Sequence, residues 1–407
     1  MGLDLARGLA IIGMLAAHTL HSAPFDWADP STWGDIVNGR SSILFGVIAG
    51  ISIALMTRNR PTDREGLRRE RLRLLGRGVV IFLIGMVLEL LGTGIAVILG
   101  IYGVLFIAVI PFLSWRRRSL LVAAGIFAFV SAVTAPMVTM LSANGFSGLG
   151  TAVLTSLYPP LAWLALVLVG LAIGRSSFTR PRVAAGLLAL GIALAGIGYG
   201  SAALAAPLVS SLTPDELQGI EPVPGTDVDV SDLMCQQYDD NSVFCFPTSS
   251  ESTTTDVSND AAPDPGTVLL QYLVRGVFID QAHSGGLAEI VGSTGVALIV
   301  LGGCLLIARP LRWALAPLAA MGTMPLSAYS LQVVIIAIVH PLLPAATPEF
   351  DPGVLLWAGM TVAILIAATI WVSILGRGPL ERLMDWSARR WSAEGQLSRP
   401  ERRRIES

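Results

Sequence analysis

Lysine is missing altogether from this 407-residue sequence, and its 27 basic residues are all arginine. With alanine and glycine abundant, we read this as the codon bias of a GC-rich bacterium, not as a nucleic-acid-binding surface. Charge of either sign is scarce: 14% of residues carry it, against roughly 25% in soluble domains. The sequence contains no cluster of metal ligands and no nucleophile elbow, and no Walker-type or dinucleotide glycine pattern follows a strand. Nucleotide hydrolysis therefore has no support. Apolar stretches do not alternate with period two, which excludes a transmembrane barrel.

What fills the sequence instead is apolar: 53% of residues are hydrophobic and the mean hydropathy is +0.67. Runs of about 20 apolar residues, enough to cross a hydrocarbon core, fall near 4–20, 41–57, 78–93, 95–113, 119–141, 152–174, 183–206, 286–308, 324–343 and 353–376. The fold class expected is all-α, a polytopic membrane bundle of about ten transmembrane helices. Arginine clusters occupy 58–77, 115–118, 175–182, 309–312 and 377–404, and none lies between Arg182 and Arg275. By the positive-inside rule both termini are cytoplasmic.

Four parts result. Residues 1–206 carry helices 1–7, 207–284 form an extracytoplasmic loop between helices 7 and 8, 285–376 carry helices 8–10, and 377–407 are a cytoplasmic tail. The first run could be read as a cleavable signal sequence, but Asp4 and Arg7 make a mixed-charge start, and we expect it to be retained. The long loop is rich in Asp, Glu, Ser, Thr and Pro, so much of it should be poorly ordered. It holds Cys235 and Cys245, which an oxidising outer face would join as a disulfide. Cys304, within an apolar run, reads as packing.

Ionisable groups at membrane depth are costly and point to function. The first run holds Asp4, Arg7 and His18. Eleven residues separate Arg7 from His18, three helical turns plus about 20°, so both share a face about 16 Å apart along the axis. Asp4, three residues before Arg7, can pair with its guanidinium. The plainer reading is an interfacial ion pair and a packing histidine; the polar stripe fits a cavity-lining helix better. Glu89, Glu289, Ser327, Tyr329 and Gln332 are further polar groups within the runs, and Arg40 opens the second. Singly, each reads as a helix-to-helix hydrogen bond. His283 precedes the eighth helix on the outer side, near the level of His18, and His340 stands at a helix end. The eight arginines of 58–77 read first as a topology signal and second as a site for an anionic cytosolic ligand.

The stretch Gly2–Leu–Asp4–Leu–Ala–Arg7–Gly8 through His18 resembles the opening helix of the transmembrane acyltransferase superfamily. That group includes heparan-alpha-glucosaminide N-acetyltransferase, its bacterial YeiB-like relatives and the type 3 acyltransferases. Arginine, ten residues, then histidine is the spacing of the type 3 branch; Asp-Xaa-Xaa-Arg-Gly is that of the N-acetyltransferase branch. Gly39–Arg40 through Gly46, Met321–Gly322 through Gln332, and Gly378–Pro379–Leu380–Glu381–Arg382–Leu383 are similar to the YeiB-like relatives. The lysosomal enzyme has asparagine where His18 stands and its functional histidine in the next loop, so His21 stays unassigned.

The resemblance implies an acyl-CoA-dependent acyltransferase of the bacterial plasma membrane. It would move an acyl group, acetyl above all, to a hydroxyl or amine of an envelope glycan or glycolipid outside. Its implied catalytic residues are His18, Arg7 and Asp4. Arg7, Arg40, Tyr329 and Gln332 are expected to bind acyl-CoA, with His283 and Glu289 on the acceptor side. Acetyl-CoA or another acyl-CoA is a co-substrate; no permanent cofactor, metal or nucleic acid is expected, and a homodimer is compatible. The rival is a transporter or flippase of a lipid or polysaccharide precursor, which glycine-rich helices with buried polar residues suit equally.

Overall fold

A computed structural model of the chain describes residues 1–20, 28, 30–57, 64–143, 158–178, 180–212, 233–239, 242–247, 265–342 and 352–397. Among the described residues seven helices come first: α1 (Gly2–Thr19), α2 (Arg40–Met56), α3 (Arg64–Glu89), α4 (Leu99–Ala108), α5 (Arg117–Ala143), α6 (Pro160–Ile173) and α7 (Pro181–Leu212). A hairpin of β1 (Leu233–Asp239) and β2 (Ser242–Pro247) follows. Then come α8 (Pro265–Phe278), α9 (Leu287–Ile307), α10 (Ala316–Thr323), α11 (Pro325–Val339), α12 (Pro352–Leu375) and α13 (Pro379–Leu397). Six of these helices open on proline, whose fixed φ suits the first turn and whose missing N–H would have no helical partner there. Gly376, at φ 76°, ends α12 in the left-handed conformation that glycine adopts without strain.

Among the described residues, five helices are long and apolar enough to cross a membrane, six if α10 and α11 count as one broken span. The chain is thus a helical membrane protein. Helices α5, α7 and α12 turn large apolar side chains outward, among them Ile126, Phe129, Ile197, Leu204, Ile366 and Ile374, as a lipid-facing layer does. At the centre lie α1, α2 and α6. Helices α2 and α6 touch backbone to backbone: a side chain at Gly50 would strike the Val167 carbonyl, and one at Gly170 the Val47 carbonyl. Close glycine contacts of this kind drive helix association where lipid removes the hydrophobic incentive.

Three local features add to the sequence reading. The all-α reading omits the hairpin, which apolar and β-favouring residues (Tyr238, Val243, Phe244, Phe246) build within the polar segment 207–284. Its register sets Cys235 opposite Cys245. That segment also ends in α8, whose Gly276 lies against the Ala132 carbonyl of α5. The arginine-rich connection 58–77 is helical from Arg64 onward, with Glu65 paired to Arg69 (3.3 Å) and Glu70 to Arg73 (2.7 Å) one turn away. Within the tail segment, finally, α13 packs along α3, with Trp391 on Gly76 and the Ser387 hydroxyl donating to the Gly76 carbonyl. His21 lies outside the described residues.

Between α10 and α11 the chain bends by 91° at Met324. The bend sits against the first turns of α1, where a side chain on Gly322 would overlap the Asp4 carbonyl and Gly8 abuts Leu318. It leaves the first N–H groups of α11 without helical partners inside the protein. The buried carboxylate of Glu381, from α13, takes them. It accepts from Leu326 N (2.7 Å), Ser327 N (3.2 Å) and the Ser327 hydroxyl. Two segments far apart in sequence, Pro325–Ser327 and Gly378–Glu381, thereby form one joint.

Candidate active site

Helix α1 carries its polar stripe into two cavities. The larger, about 310 Å³, is lined by Arg7 of α1, Ser52 of α2, Arg77 of α3, Tyr102 of α4, Tyr329 of α11 and Glu381 of α13. Between these polar groups its walls are apolar, with Phe45, Ile48, Leu55, Phe106 and Met384 among them. Arg7 is held as a fork: Nη1 donates to Asp4 Oδ1 at 2.6 Å and Nη2 to the Ser52 hydroxyl at 2.8 Å. At the far wall Arg77 pairs with Asp385 (2.7 Å), which Arg377 also reaches, while the buried Nε of Arg77 has no partner among the described residues.

The second cavity is small, about 30 Å³, and lies at the other end of α1. His18, Ser41, Ser42, Tyr158, His283 and Tyr329 line it. Here the structure brings together two histidines that are 265 positions apart in the chain. His283 sits in a turn at φ 64°, a conformation uncommon for a residue other than glycine. Glu289, 3% exposed, holds that turn: it accepts from His283 N (2.7 Å), Gly285 N (2.8 Å) and the Ser284 hydroxyl (2.9 Å). The His283 ring meets Tyr158 edge-on at 5.5 Å, and burial pushes its imidazole below the usual histidine range.

Tyr329 borders both cavities. Its oxygen accepts from Ile98 N at 3.3 Å and its side chain is 1% exposed. One turn further along α11, Gln332 is fully buried, and neither end of its amide has a partner among the described residues.

Of the residues singled out in the sequence, Asp4, Arg7, His18, Tyr329 and His283 lie at these cavities or contact a lining residue, and Glu289 supports the turn of the last. Arg40 lines neither. Its guanidinium donates to Tyr199 Oη (2.8 Å) and to the carbonyls of Asp35 (2.9 Å) and Ile36 (3.1 Å), and Tyr199 bonds Ser293 at 2.8 Å. Glu89 is exposed at the end of α3. Ser52, Tyr102 and Tyr158 escaped the sequence reading, since a lone serine or tyrosine in an apolar run carries no signal of its own, and Arg77 was read only as one of the eight arginines of 58–77. Glu381 stood within a quoted segment, without a role.

Fold and site together define a helical membrane protein with an enclosed polar axis, two cavities meeting at one tyrosine. Residues 1–204 match the family described as heparan-alpha-glucosaminide N-acetyltransferase, catalytic, and the chain belongs to that family of membrane acetyltransferases. Residues 268–390 match a second family, described as a protein of unknown function (DUF418). No curated protein and no solved structure matches the chain.

Proposed function

We propose that this chain takes an acyl group, acetyl by preference, from cytosolic acyl-CoA and passes it to a hydroxyl or amine of an extracytoplasmic glycan or glycolipid. The observation that carries the reading is the shared wall. A cavity with a fixed guanidinium and a cavity with two histidines, at opposite ends of α1, meet at Tyr329. The donor belongs at the Arg7 end, where Arg77 of α3 lines the same cavity and suits an anionic carrier. The acceptor belongs at the His18 end. The family's name supports an amine on a glucosaminide as one acceptor.

The arginine pattern supports ten crossings of the plasma membrane with both termini inside and 207–284 outside. In that topology Cys235 and Cys245, opposite one another in the hairpin register, form a disulfide.

In this mechanism Arg7, oriented by Asp4 and Ser52, anchors the carrier. His18 takes the acceptor's proton as oxygen or nitrogen bonds to the thioester carbon. The carbon–sulfur bond then breaks, the electron pair leaves with sulfur, and the imidazolium protonates the thiolate. General-base help of this kind contributes roughly 10²–10⁴-fold. The test is His18→Ala: acetyl-CoA binding measured by calorimetry should be retained, while the acyl mass on envelope glycans should vanish in the mass spectrum. Full acylation by a normally folded His18→Ala protein refutes the assignment. A wild-type protein that does not bind acetyl-CoA favours the flippase.

A further inference from the structure

We infer that the Tyr329 hydroxyl is a catalytic hydrogen-bond donor, receiving the negative charge that develops on the carbonyl oxygen of the transferred acyl group. The inference rests on the function proposed above and asks where, along that path, the carbonyl must stand. Its carbon has to be reached by an acceptor whose proton goes to His18, while its sulfur still belongs to a carrier in the Arg7 cavity. Among the described residues, Tyr329 is the one that borders both places.

Arg7 cannot serve that oxygen. It stands eleven residues from His18, about 16 Å along the helix, and its two terminal nitrogens are engaged by Asp4 and Ser52. Nearby hydroxyls are committed: Tyr158 donates to the Ala96 carbonyl (3.0 Å), Tyr102 to the Ser42 carbonyl (3.1 Å) and Ser42 to the Gly39 carbonyl (2.6 Å). Ser41 and His283 border only the small cavity. Tyr329 differs from all of these. Its one hydrogen bond is accepted, from Ile98 N, and the phenolic proton has no acceptor among the described residues. The backbone N–H holds the ring in place and draws electron density from the oxygen, which makes the remaining proton a better donor.

As the acceptor atom bonds to the carbonyl carbon and gives its proton to His18, the carbonyl π pair moves onto oxygen, and Tyr329 O–H bonds to that oxygen. When the pair returns, the carbon–sulfur bond breaks and the thiolate takes the proton from His18. Tyr329 ends as it began, still protonated.

Tyr329→Phe removes the hydroxyl and keeps the ring. Inverted membrane vesicles from a host lacking the gene, re-expressing each variant, retain the native acceptor and can be given radiolabelled acetyl-CoA. At saturating donor, Tyr329→Phe should incorporate label about 10²–10³-fold more slowly, the loss seen when one such donor is removed. Its acetyl-CoA affinity should stay within about twofold of the wild type. A rate near wild type overturns the inference, as does a loss that higher acetyl-CoA restores. If Tyr329→Phe folds poorly, fluorotyrosines placed at 329 replace it: the rate should follow phenol acidity, and a flat series overturns the inference. Wild-type vesicles that incorporate nothing above the gene-deleted control instead refute the acyltransferase reading itself. His18→Ala inactive beside Tyr329→Phe active leaves that reading standing and removes this one.

Discussion

Replacing Glu381 with alanine is expected to loosen the joint between α11 and α13. The carboxylate is 7% exposed and accepts three hydrogen bonds, two from backbone N–H groups at the opening of α11. A buried donor left unpaired costs roughly 1–3 kcal/mol. Two of them, with some relief from entering water, place the loss at about 3 kcal/mol. A carboxylate at a helix N-terminus adds up to about 2 kcal/mol when partly buried. Ser327 Oγ would keep its second bond, accepting from Leu380 N at 3.1 Å, so the joint should weaken without coming apart.

Membrane proteins commonly unfold irreversibly, so the comparison is of apparent melting temperatures in one detergent at one scan rate. We expect Glu381→Ala to melt at least about 5 °C below the wild type. Glu381→Gln, which retains one acceptor oxygen, should fall between the two. Because Glu381 and Leu326 both line the larger cavity, acetyl-CoA affinity should fall with it. A Glu381→Ala protein melting within about 1 °C of the wild type would refute the cap as the source of this stability.

Arg7→Lys keeps the charge but cannot serve Asp4 and Ser52 as a planar fork. Calorimetry should show acetyl-CoA bound about tenfold more weakly, near 1.4 kcal/mol. Burial holds the His283 imidazole below 6.5, so the unfolded chain binds that proton more readily than the folded one. Its contribution is present above about pH 6.5 and is lost as the pH falls toward the folded value. Thermal scans of His283→Gln across that window should show a shallower decline than the wild type.

The first helix was the most legible part of the molecule. Asp4, Arg7 and His18 lie on one element, where helical periodicity alone decides which side chains share a face. The structure pairs the first two at 2.6 Å. Apolar length foresaw the helices in the same way, since burying a backbone in lipid requires them. What the sequence could not show are meetings between elements. Ser52 accepts from Arg7 across 45 residues, and Glu381 caps α11 across 55. His283 reaches the cavity of His18 through a turn that Glu289 holds in place. Arg40, read from the sequence alone as a helix-to-helix hydrogen bond, donates to Tyr199 and two carbonyls, partners that no spacing in the sequence identifies. The hairpin and α8 were hidden because a polar, proline-containing segment reads as disorder when its few β-formers are averaged away.

The position of Tyr329 also bears on what must stay on its own side. In the proposed topology the two cavities face opposite sides of the membrane, and an open aqueous passage from the Arg7 cavity to the His18 cavity would let protons run down their gradient through every copy of the protein. A ring 1% exposed, anchored by the Ile98 N–H, makes the axis a septum. On the proposed reading, the acyl group changes owner across this septum while carrier, acceptor and water each remain where they entered. Chemistry then crosses the membrane without a pore.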